Sequence, residues 1–352
     1  MENGVNRREF LKATAATGAA LLAGNLLHGV SNAEGKIKIP EAEKIMVTIL
    51  TDNYSDINAY IHNIAKRFRR APGLPIEKWA LHAEHGLSYL VETRVNGIDH
   101  SFLFDFGSDS GGVLRNMEIL NVNFNKLEAL ALSHGHWDHH LAFLDLMRAK
   151  KSTLREGISL YVGEEAFIER FSREASGKVI SMGQLKKGDI EALGFIKIVE
   201  IKDPTPVVPG AFCSGKIEMV TDYEKIIPRL VRPEGGTYVM DMFGGEQAII
   251  LNLKGEGLIV LSGCAHRGIV NAVKTAQRIT GVEKMHAVVG GFHLVESKPE
   301  VVQQTVADIK AVSPTYIVPT HCTGFRAIQA FANEMPEQFV LSTVGTQFIF
   351  GS

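Results

Sequence analysis

The sequence contains few cysteines and has almost no net charge. Its 352 residues include only Cys213, Cys264 and Cys322, and so sparse and odd a set argues against a disulfide framework. Lysine and arginine (37) nearly balance aspartate and glutamate (39), which gives a formal net charge of −2. This balance argues against a nucleic-acid-binding protein or a general binder of polyanions. The hydrophobic content of 45% is ordinary for a globular protein.

The chain has no convincing membrane-spanning run near its N-terminus. Residues 13–30 are only moderately apolar, and glycines and polar side chains interrupt them. Arg7 and Arg8 precede this stretch, and small residues suited to a signal peptidase follow at 31–33. The pattern resembles a twin-arginine (Tat) export signal, and the alternatives are an ordinary N-terminal helix or a retained membrane anchor. We therefore predict a signal peptide at residues 1–33.

A Tat signal has consequences for partners and location. It predicts that the Tat export machinery is a partner, that the mature protein is periplasmic or otherwise extracytoplasmic, and that no stable membrane insertion remains after cleavage. Residues 34–352 are then predicted to form one domain.

A dense group of metal-competent side chains follows a short apolar run. Residues 127–132 have the character of a buried strand, and the loop after them carries His134, His136, Asp138 and His139. Two histidines two residues apart on extended backbone point the same way, whereas the next pair faces a second point nearby. This spacing suits two adjacent cations better than one. Nitrogen-rich ligands favour zinc, although imidazole also suits iron, copper and nickel.

Three later predicted strands also lead into histidines. The strands at 258–261, 285–289 and 315–318 are followed by His266, His293 and His321. One isolated histidine is usually a core residue satisfied by hydrogen bonds, but three at equivalent strand ends favour a shared site. Ligands gather beyond the carboxyl ends of strands in sheets of this kind.

These residues are divided between two cations in our prediction. One cation is bound by His134, His136 and His266, and the other by Asp138, His139 and His321. Each set leaves room for a water molecule, as catalytic zinc requires. No histidine occurs between 141 and 265, so His266 must complete the first set, or else the site holds a single ion.

Several neighbouring residues receive supporting roles. Asp138 is predicted to orient the attacking hydroxide, and His293 or His85 to donate a proton to the leaving group. His293 is alternatively a ligand. Cys264 is either a thiolate ligand or a buried free thiol. Asp105, at the end of a returning strand, is predicted to orient a ligating histidine, with an Asx turn or a helix cap as the alternative.

The motif His-X-His-X-Asp-His at a strand end resembles the metal-binding signature of the metallo-β-lactamase superfamily. Further segments at 49–53, 83–88, 263–271, 290–294 and 321–324 occur in order. Together they resemble the branch of 7,8-dihydropterin-6-methyl-4-(β-D-ribofuranosyl)aminobenzene-5′-phosphate synthases, over nearly all of residues 44–350. The resemblance implies an α/β fold, a four-layer αββα sandwich, with bound zinc-type metals and a phosphorylated aromatic ribose substrate.

The chain departs from this branch at two positions beside the predicted site. The branch has Thr-Gly-Gly after the Asp-His pair, where this chain has His140, Leu141 and Ala142. Of an acidic pair near residue 245, only Glu246 remains. These changes weaken any transfer of the substrate by analogy.

Three functions follow as hypotheses. The first is a zinc-dependent hydrolase that attacks a small-molecule substrate with a metal-bound hydroxide. Hydrolysis is favoured over oxygen chemistry, because His136 provides a nitrogen ligand at the position where the redox branch of the superfamily has a carboxylate. The second is a synthase-type transferase that joins an aminobenzoate-like ring to a phosphoribosyl donor. The third is a non-catalytic periplasmic protein that binds a metal or another ligand.

Spacing of apolar residues further predicts helices at 57–70, 141–148, 164–171, 269–279 and 300–312. Residues 203–216 contain three prolines and are predicted to form a loop, either a lid over the site or a connector.

Overall fold

The structure, a computed structural model, describes residues 36–69, 73 and 75–352. The signal peptide predicted at residues 1–33 lies outside the described residues. Within them, no helix is both long enough and apolar enough to cross a lipid bilayer.

The described part of the chain contains eighteen strands in three sheets. In chain order, the strands are β1 Lys44–Thr51, β2 Ala65–Lys66, β3 Ser88–Val95, β4 Ile98–Phe104, β5 Ala129–Ala131, β6 Ile158–Gly163, β7 Phe171–Arg173, β8 Val179–Ser181, β9 Ile196–Ile201, β10 Thr205–Val208, β11 Ala211–Cys213, β12 Leu230–Glu234, β13 Thr237–Met240, β14 Ile249–Leu253, β15 Gly257–Ser262, β16 Met285–Gly291, β17 Tyr316–Thr320 and β18 Gln347–Gly351.

Seven α-helices accompany these strands in the described residues. They are α1 Ser110–Ile119, α2 Trp137–His140, α3 Phe143–Lys150, α4 Lys187–Glu191, α5 Ile269–Thr280, α6 Pro299–Val312 and α7 Phe325–Glu334.

Two large sheets form the centre of the molecule. The eight-stranded sheet has the order β2-β18-β1-β3-β4-β5-β6-β9, and the six-stranded sheet has the order β10-β11-β14-β15-β16-β17. Apolar side chains from both, such as Val47, Phe102 and Leu261, make one buried core between the sheets. Helices α1 and α3 cover the outer face of the first sheet, and α5, α6 and α7 cover that of the second. The predicted four-layer αββα sandwich is therefore confirmed.

Parallel pairing explains why the strand ends meet. Strands β4, β5, β6 and β9 run parallel in one sheet, and β15, β16 and β17 run parallel in the other. Their carboxyl ends carry loops with polar side chains, and a rigid sheet holds such loops in place. The packing of the two sheets thus brings segments more than a hundred residues apart to one edge.

Three of the predicted elements are wrong. Residues 57–69 are not a helix but turns around β2, because Arg67 is buried and donates to the carbonyl oxygens of Tyr60 and Leu341. Residues 164–171 are turns leading into β7, which pairs with the distant β12.

The predicted lid or connector at 203–216 is also different in the structure. It contains the hairpin β10–β11, which extends the six-stranded sheet and buries Val207 and Val208 in the core between the sheets. Pro206 is tolerated because β10 is an edge strand, where a missing N–H group costs no ladder hydrogen bond.

A third, smaller sheet was not predicted. It has the order β13-β12-β7-β8. Strands β7 and β8 come from the segment between β6 and α4, whereas β12 and β13 come from the segment between β11 and β14. We call it the accessory sheet.

Candidate metal centre

The loop after β5 is held by a buried carboxylate. Asp105 accepts hydrogen bonds from the backbone N–H of Ser133 (2.7 Å, Oδ1) and from its hydroxyl (2.8 Å, Oδ2). The same carboxylate lies 2.6 Å from Nδ1 of His139. Asp105 thus fixes the orientation of the His139 ring and turns Nε2 towards the centre, where it lies 3.0 Å from Sγ of Cys264. Hydrogen-bonded carboxylates of this kind orient metal-ligating histidines in other proteins.

In the first predicted set, the ligand atoms of His134 and His266 come together, and the ring of His136 packs against both. Nε2 of His134 and Nε2 of His266 are 3.1 Å apart. The ring of His136 has its centroid 4.6 Å from that of His266 and 4.7 Å from that of His134. Nε2 of His136 is buried and has no hydrogen-bond partner among the described residues. Since buried polar atoms are nearly always satisfied, this nitrogen fits a role as a metal ligand.

The second predicted set converges beside the first. Oδ2 of Asp138 lies 3.1 Å from Nε2 of His321 and 3.8 Å from Nε2 of His139. The ligand atoms of these three residues and the sulfur of Cys264 all lie within 4.8 Å of one another.

Cys264 stands between the two sets. Its sulfur is also within 4.8 Å of the ligand atoms of His134 and His266. All three cysteines of the described chain are free and buried. Imidazole nitrogens, one carboxylate and one sulfur make a donor set that suits a divalent ion such as zinc.

Backbone conformation at the centre is unusual. Asp105, Phe243, Ala265, His293 and His321 all have positive φ, between 48° and 59°. Non-glycine residues seldom adopt this left-handed conformation, and such residues cluster at functional sites. Glycine is required nearby at Gly263, where a Cβ atom would lie 2.2 Å from the hydroxyl oxygen of Ser133.

Burial and charge act differently on the two sets. Burial lowers the pKa of His134, His136 and His266, which keeps their rings neutral and able to coordinate a cation. Burial also disfavours the ionised form of Asp138, but the charges of His139 and His321 outweigh it and lower its pKa.

Neighbouring carboxylates raise the affinity of the second set for protons. Burial alone would lower the pKa of His139, but Asp105 and Asp138 outweigh it and raise that pKa. The pKa of His321 is likewise raised against the effect of burial, chiefly by its hydrogen bond to Asp138. A cation bound at these two histidines therefore has to displace protons.

His321 is positioned by a residue that sequence reasoning overlooked. Asp52, at the end of β1, is fully buried and accepts the backbone N–H of His321 (3.0 Å) and the hydroxyl of Ser342 (3.1 Å). The hydroxyl of Thr320 donates to the same carboxylate. The only sequence signal for Asp52 was its place in the segment 49–53 that resembles the synthase branch.

One wall of the centre was also overlooked. Phe243, just after β13, stacks on His266 with ring centroids 4.0 Å apart and an angle of 7°. Its edge meets His136 at 5.1 Å. The N–H of Phe243 donates to Asp241, whose carboxylate forms a buried ion pair with Arg170 (2.8 Å). The segment that follows the accessory sheet therefore contributes to the surroundings of the first set.

Glu246 joins that wall to the loop after β15. Its carboxylate accepts the backbone N–H groups of His266 and Arg267, each at 2.7 Å. Burial raises the pKa of Glu246 to about 7 despite these two hydrogen bonds.

The two predicted proton donors flank the centre. Nε2 of His85 lies 3.5 Å from Oδ2 of Asp138, and its half-exposed ring stacks on His321 at 4.8 Å. The ring of His293 lies 4.0 Å from that of His266, and burial lowers the pKa of His293 to about 4.

Comparison with known proteins agrees with this fold. The chain is similar to the crystal structure of a metal-dependent hydrolase of the β-lactamase superfamily, with a TM-score of 0.67 and 24% sequence identity, over 88% of this chain and all of that one. Residues 4–24 match the model of the twin-arginine translocation pathway signal sequence.

Two proteins of Methanocaldococcus jannaschii are similar in sequence. One is 7,8-dihydropterin-6-methyl-4-(β-D-ribofuranosyl)-aminobenzene-5′-phosphate synthase, 34% identical over 264 residues, which are 73% of this chain and 87% of the relative. The other, an uncharacterised protein, is 27% identical over 70% of this chain and 86% of its own length.

Fold and sequence together define a protein with the metallo-β-lactamase fold. Within that superfamily, the chain belongs to the family of the 7,8-dihydropterin-6-methyl-4-(β-D-ribofuranosyl)-aminobenzene-5′-phosphate synthase, and it carries a Tat signal sequence.

Proposed function

We propose that the chain is a metal-dependent hydrolase of a small-molecule substrate and that it works outside the cytoplasm after Tat export. Zinc is the favoured ion, with one ion at His134, His136 and His266 and a second at Asp138, His139 and His321. Cys264 is a shared thiolate ligand in this proposal. The observation that supports it most is the convergence of ligand atoms from separate strand ends, with Nε2 of His136 buried and left without a described partner.

A divalent cation at such a site would supply a water whose pKa is lowered to about 7 and would polarise a carbonyl or phosphoryl oxygen. The chain contributes orientation and proton transfer. Asp138 is ionised, because its pKa is lowered, and its carboxylate is suited to orient the attacking nucleophile. With a pKa of about 4, His293 is neutral at pH 7 and is better suited to accept a proton than to donate one. The sequence-based prediction had given His293 the role of a proton donor. His85 is half-exposed and close to Asp138, so it is the better candidate for passing a proton to the leaving group.

The test uses the full exported protein and the variants His136→Ala and His321→Ala. We expect each variant to lose bound metal, measured by inductively coupled plasma mass spectrometry, and to lose turnover in a panel of lactones, esters, lactams and phosphodiesters. His100→Ala is the matched control, since His100 pairs with Glu128 at the start of β4, away from the site. Full turnover by a metal-free His136→Ala protein would refute the proposal.

A synthase-type transferase is the second candidate, and the 34% identical relative supports it. Measuring pyrophosphate release with an aminobenzoate and a phosphoribosyl donor separates the two functions. The Tat signal favours hydrolysis, because such activated donors are cytoplasmic metabolites. The altered residues 140–142 motivate the non-catalytic alternative, which predicts tight ligand binding without turnover throughout the panel.

Export itself is tested by Arg7→Lys/Arg8→Lys. We expect the double variant to stay in the cytoplasmic fraction with its full-length mass, whereas the unaltered chain is found outside the cytoplasm and shortened near residue 33. An unaltered chain that also remains cytoplasmic would remove this part of the proposal.

A further inference from the structure

Three metal-competent side chains lie together outside the centre, at the start of α1. They are His82, Glu84 and Asp109, and one donor atom of each lies within 4.8 Å of the others. Nε2 of His82 is 3.5 Å from Oε2 of Glu84 and 3.5 Å from Oδ2 of Asp109. The proposed function gives none of these three residues a role.

The spacing of the three donor atoms fits a shared cation better than it fits hydrogen bonds. Hydrogen bonds from nitrogen to oxygen are usually about 2.7–3.2 Å long, so both carboxylates are distant for a hydrogen bond to His82. Zinc bonds of about 2.1 Å at tetrahedral angles place ligand atoms about 3.4 Å apart. Nε2 of His82 is itself buried, although part of the ring is exposed, and it has no hydrogen-bond partner among the described residues. Since buried polar atoms are nearly always satisfied, this nitrogen points to a bound group.

The charges at this position also favour a cation. The Glu84 side chain is buried (7% exposed), and its oxygens accept the backbone N–H groups of Ser108 (2.8 Å) and Asp109 (2.9 Å). Asp109 in turn caps α1 by accepting the N–H groups of Gly111 and Gly112. Two carboxylates carry more negative charge than the positive end of a helix dipole, about half an elementary charge, can offset. Each carboxylate oxygen has a second lone pair, so these hydrogen bonds leave both side chains able to coordinate an ion.

The backbone holds the ring of His82 in place. The N–H group of His82 donates to Oδ1 of Asn116 (2.8 Å), and its carbonyl oxygen accepts a hydrogen bond from Nδ2 of the same buried side chain (2.7 Å). Gly112 leaves room for the ring, because a Cβ atom there would lie 2.1 Å from Cδ2 of His82. Donors that are already positioned lose less side-chain freedom when they bind a ligand.

We propose that His82, Glu84 and Asp109 bind a further zinc ion, separate from the ions of the centre. One imidazole nitrogen and two carboxylate oxygens are donors that zinc accepts, and three protein ligands leave one position for water. The ion joins the segment before β3 to the start of α1.

This zinc ion also supports one wall of the centre. His85 belongs to the segment that the ion holds, and its carbonyl oxygen accepts a hydrogen bond from Oγ of Ser108 (3.2 Å). The His85 side chain faces Oδ2 of Asp138 at 3.5 Å and stacks on His321. Binding of the ion therefore fixes the backbone on both sides of a candidate proton donor.

The test measures zinc content with the centre intact and with the centre disabled. We expect His82→Ala to remove about one equivalent of zinc, both from the unaltered chain and from His136→Ala/His321→Ala, because the two sites share no ligand. Zinc bound after dialysis at micromolar free zinc is measured by inductively coupled plasma mass spectrometry. His100→Ala is the matched control, since His100 pairs with the single carboxylate of Glu128 (2.9 Å), and its zinc content should be unchanged.

Asp109→Asn tests the same site with the helix cap retained. Asparagine caps helices about as well as aspartate, so α1 should keep its stability while one anionic ligand is lost. We expect the same equivalent of zinc to be lost, and the rise of Tm on addition of zinc to become smaller. This variant decides the question if His82→Ala fails to fold.

Equal zinc content of the unaltered protein and both variants would overturn the inference. A loss of the same size in His100→Ala would also overturn it, because zinc would then bind surface histidines adventitiously. A loss seen only while the centre is intact would mean that His82 supports the centre and binds no ion of its own. If the centre holds no zinc but His82→Ala still removes one equivalent, the proposed function fails and this inference stands.

Discussion

The two sides of the candidate centre are supported in different ways. The side of His134, His136 and His266 is packed: its rings contact one another and Phe243, and burial lowers their pKa values. The side of Asp138, His139 and His321 is held by carboxylates, through Asp105 and Asp52. Packing favours neutral imidazoles, whereas neighbouring carboxylates favour protonated ones. Chemically similar side chains of one candidate centre therefore differ in how strongly they hold protons.

Lowering the pH should reveal the largest difference between the two sides, namely the pH at which each one releases its metal ion. The pKa values of His139 and His321 are raised, so protons compete with a cation there at higher pH than at an ordinary histidine. The pKa values of the first set are lowered, so its ligands stay unprotonated to lower pH. We expect one equivalent of metal to leave first as the pH falls, and the second only at lower pH. Zinc release as a function of pH can be followed with a chromogenic chelator. Release of both ions in a single step would contradict the difference between the two sides.

Asp105→Asn should weaken the carboxylate-supported side more than the packed side, because Asp105 contacts His139 directly but reaches His134 only through Ser133. The amide cannot accept the Nδ1 proton of His139 with the same strength, and loss of such an orienting carboxylate typically lowers metal affinity by about 10- to 100-fold. Competition with chelators should show a large loss of affinity for one ion and a smaller loss for the other.

Asp99→Asn serves as the control for Asp105→Asn, because Asp99 is exposed and pairs with Arg94 at the β3–β4 hairpin. Equal weakening of both ions by Asp105→Asn would show that the two sides are not independent.

Phe243→Leu should have a smaller effect, confined to the packed side. The substitution keeps an apolar residue but removes the stacked ring, and aromatic pairs contribute about 0.5–1.5 kcal/mol beyond their buried area. We expect the affinity of the first ion to fall by up to about tenfold. In cobalt-substituted protein, the visible absorption bands of one ion should shift.

Phe171→Leu is the control for Phe243→Leu, since Phe171 lies in the accessory sheet and contacts Tyr238. A change in thermal stability without any change in the cobalt spectrum would assign Phe243 to the core alone.

Most of the candidate site could be predicted from local sequence patterns. The loop at 134–139 and the histidines after β15, β16 and β17 are recognisable because each is a short motif at the end of an apolar strand. The αββα architecture followed from resemblance and was confirmed. The prediction of a helix at 57–70, by contrast, was wrong. The spacing of apolar residues does not reveal that the Arg67 side chain donates to the backbone carbonyl oxygens of Tyr60 and Leu341.

The sequence by itself determined which residue types are available for coordination and at which strand ends they occur, because strand periodicity and motif spacing are local properties. Only the tertiary structure decided that Cys264 lies between both sets, that Asp52 holds His321, and that Phe243 packs on His266. These contacts join residues tens to hundreds of positions apart. They depend on how two sheets and an inserted third one pack together, and no local pattern encodes that packing.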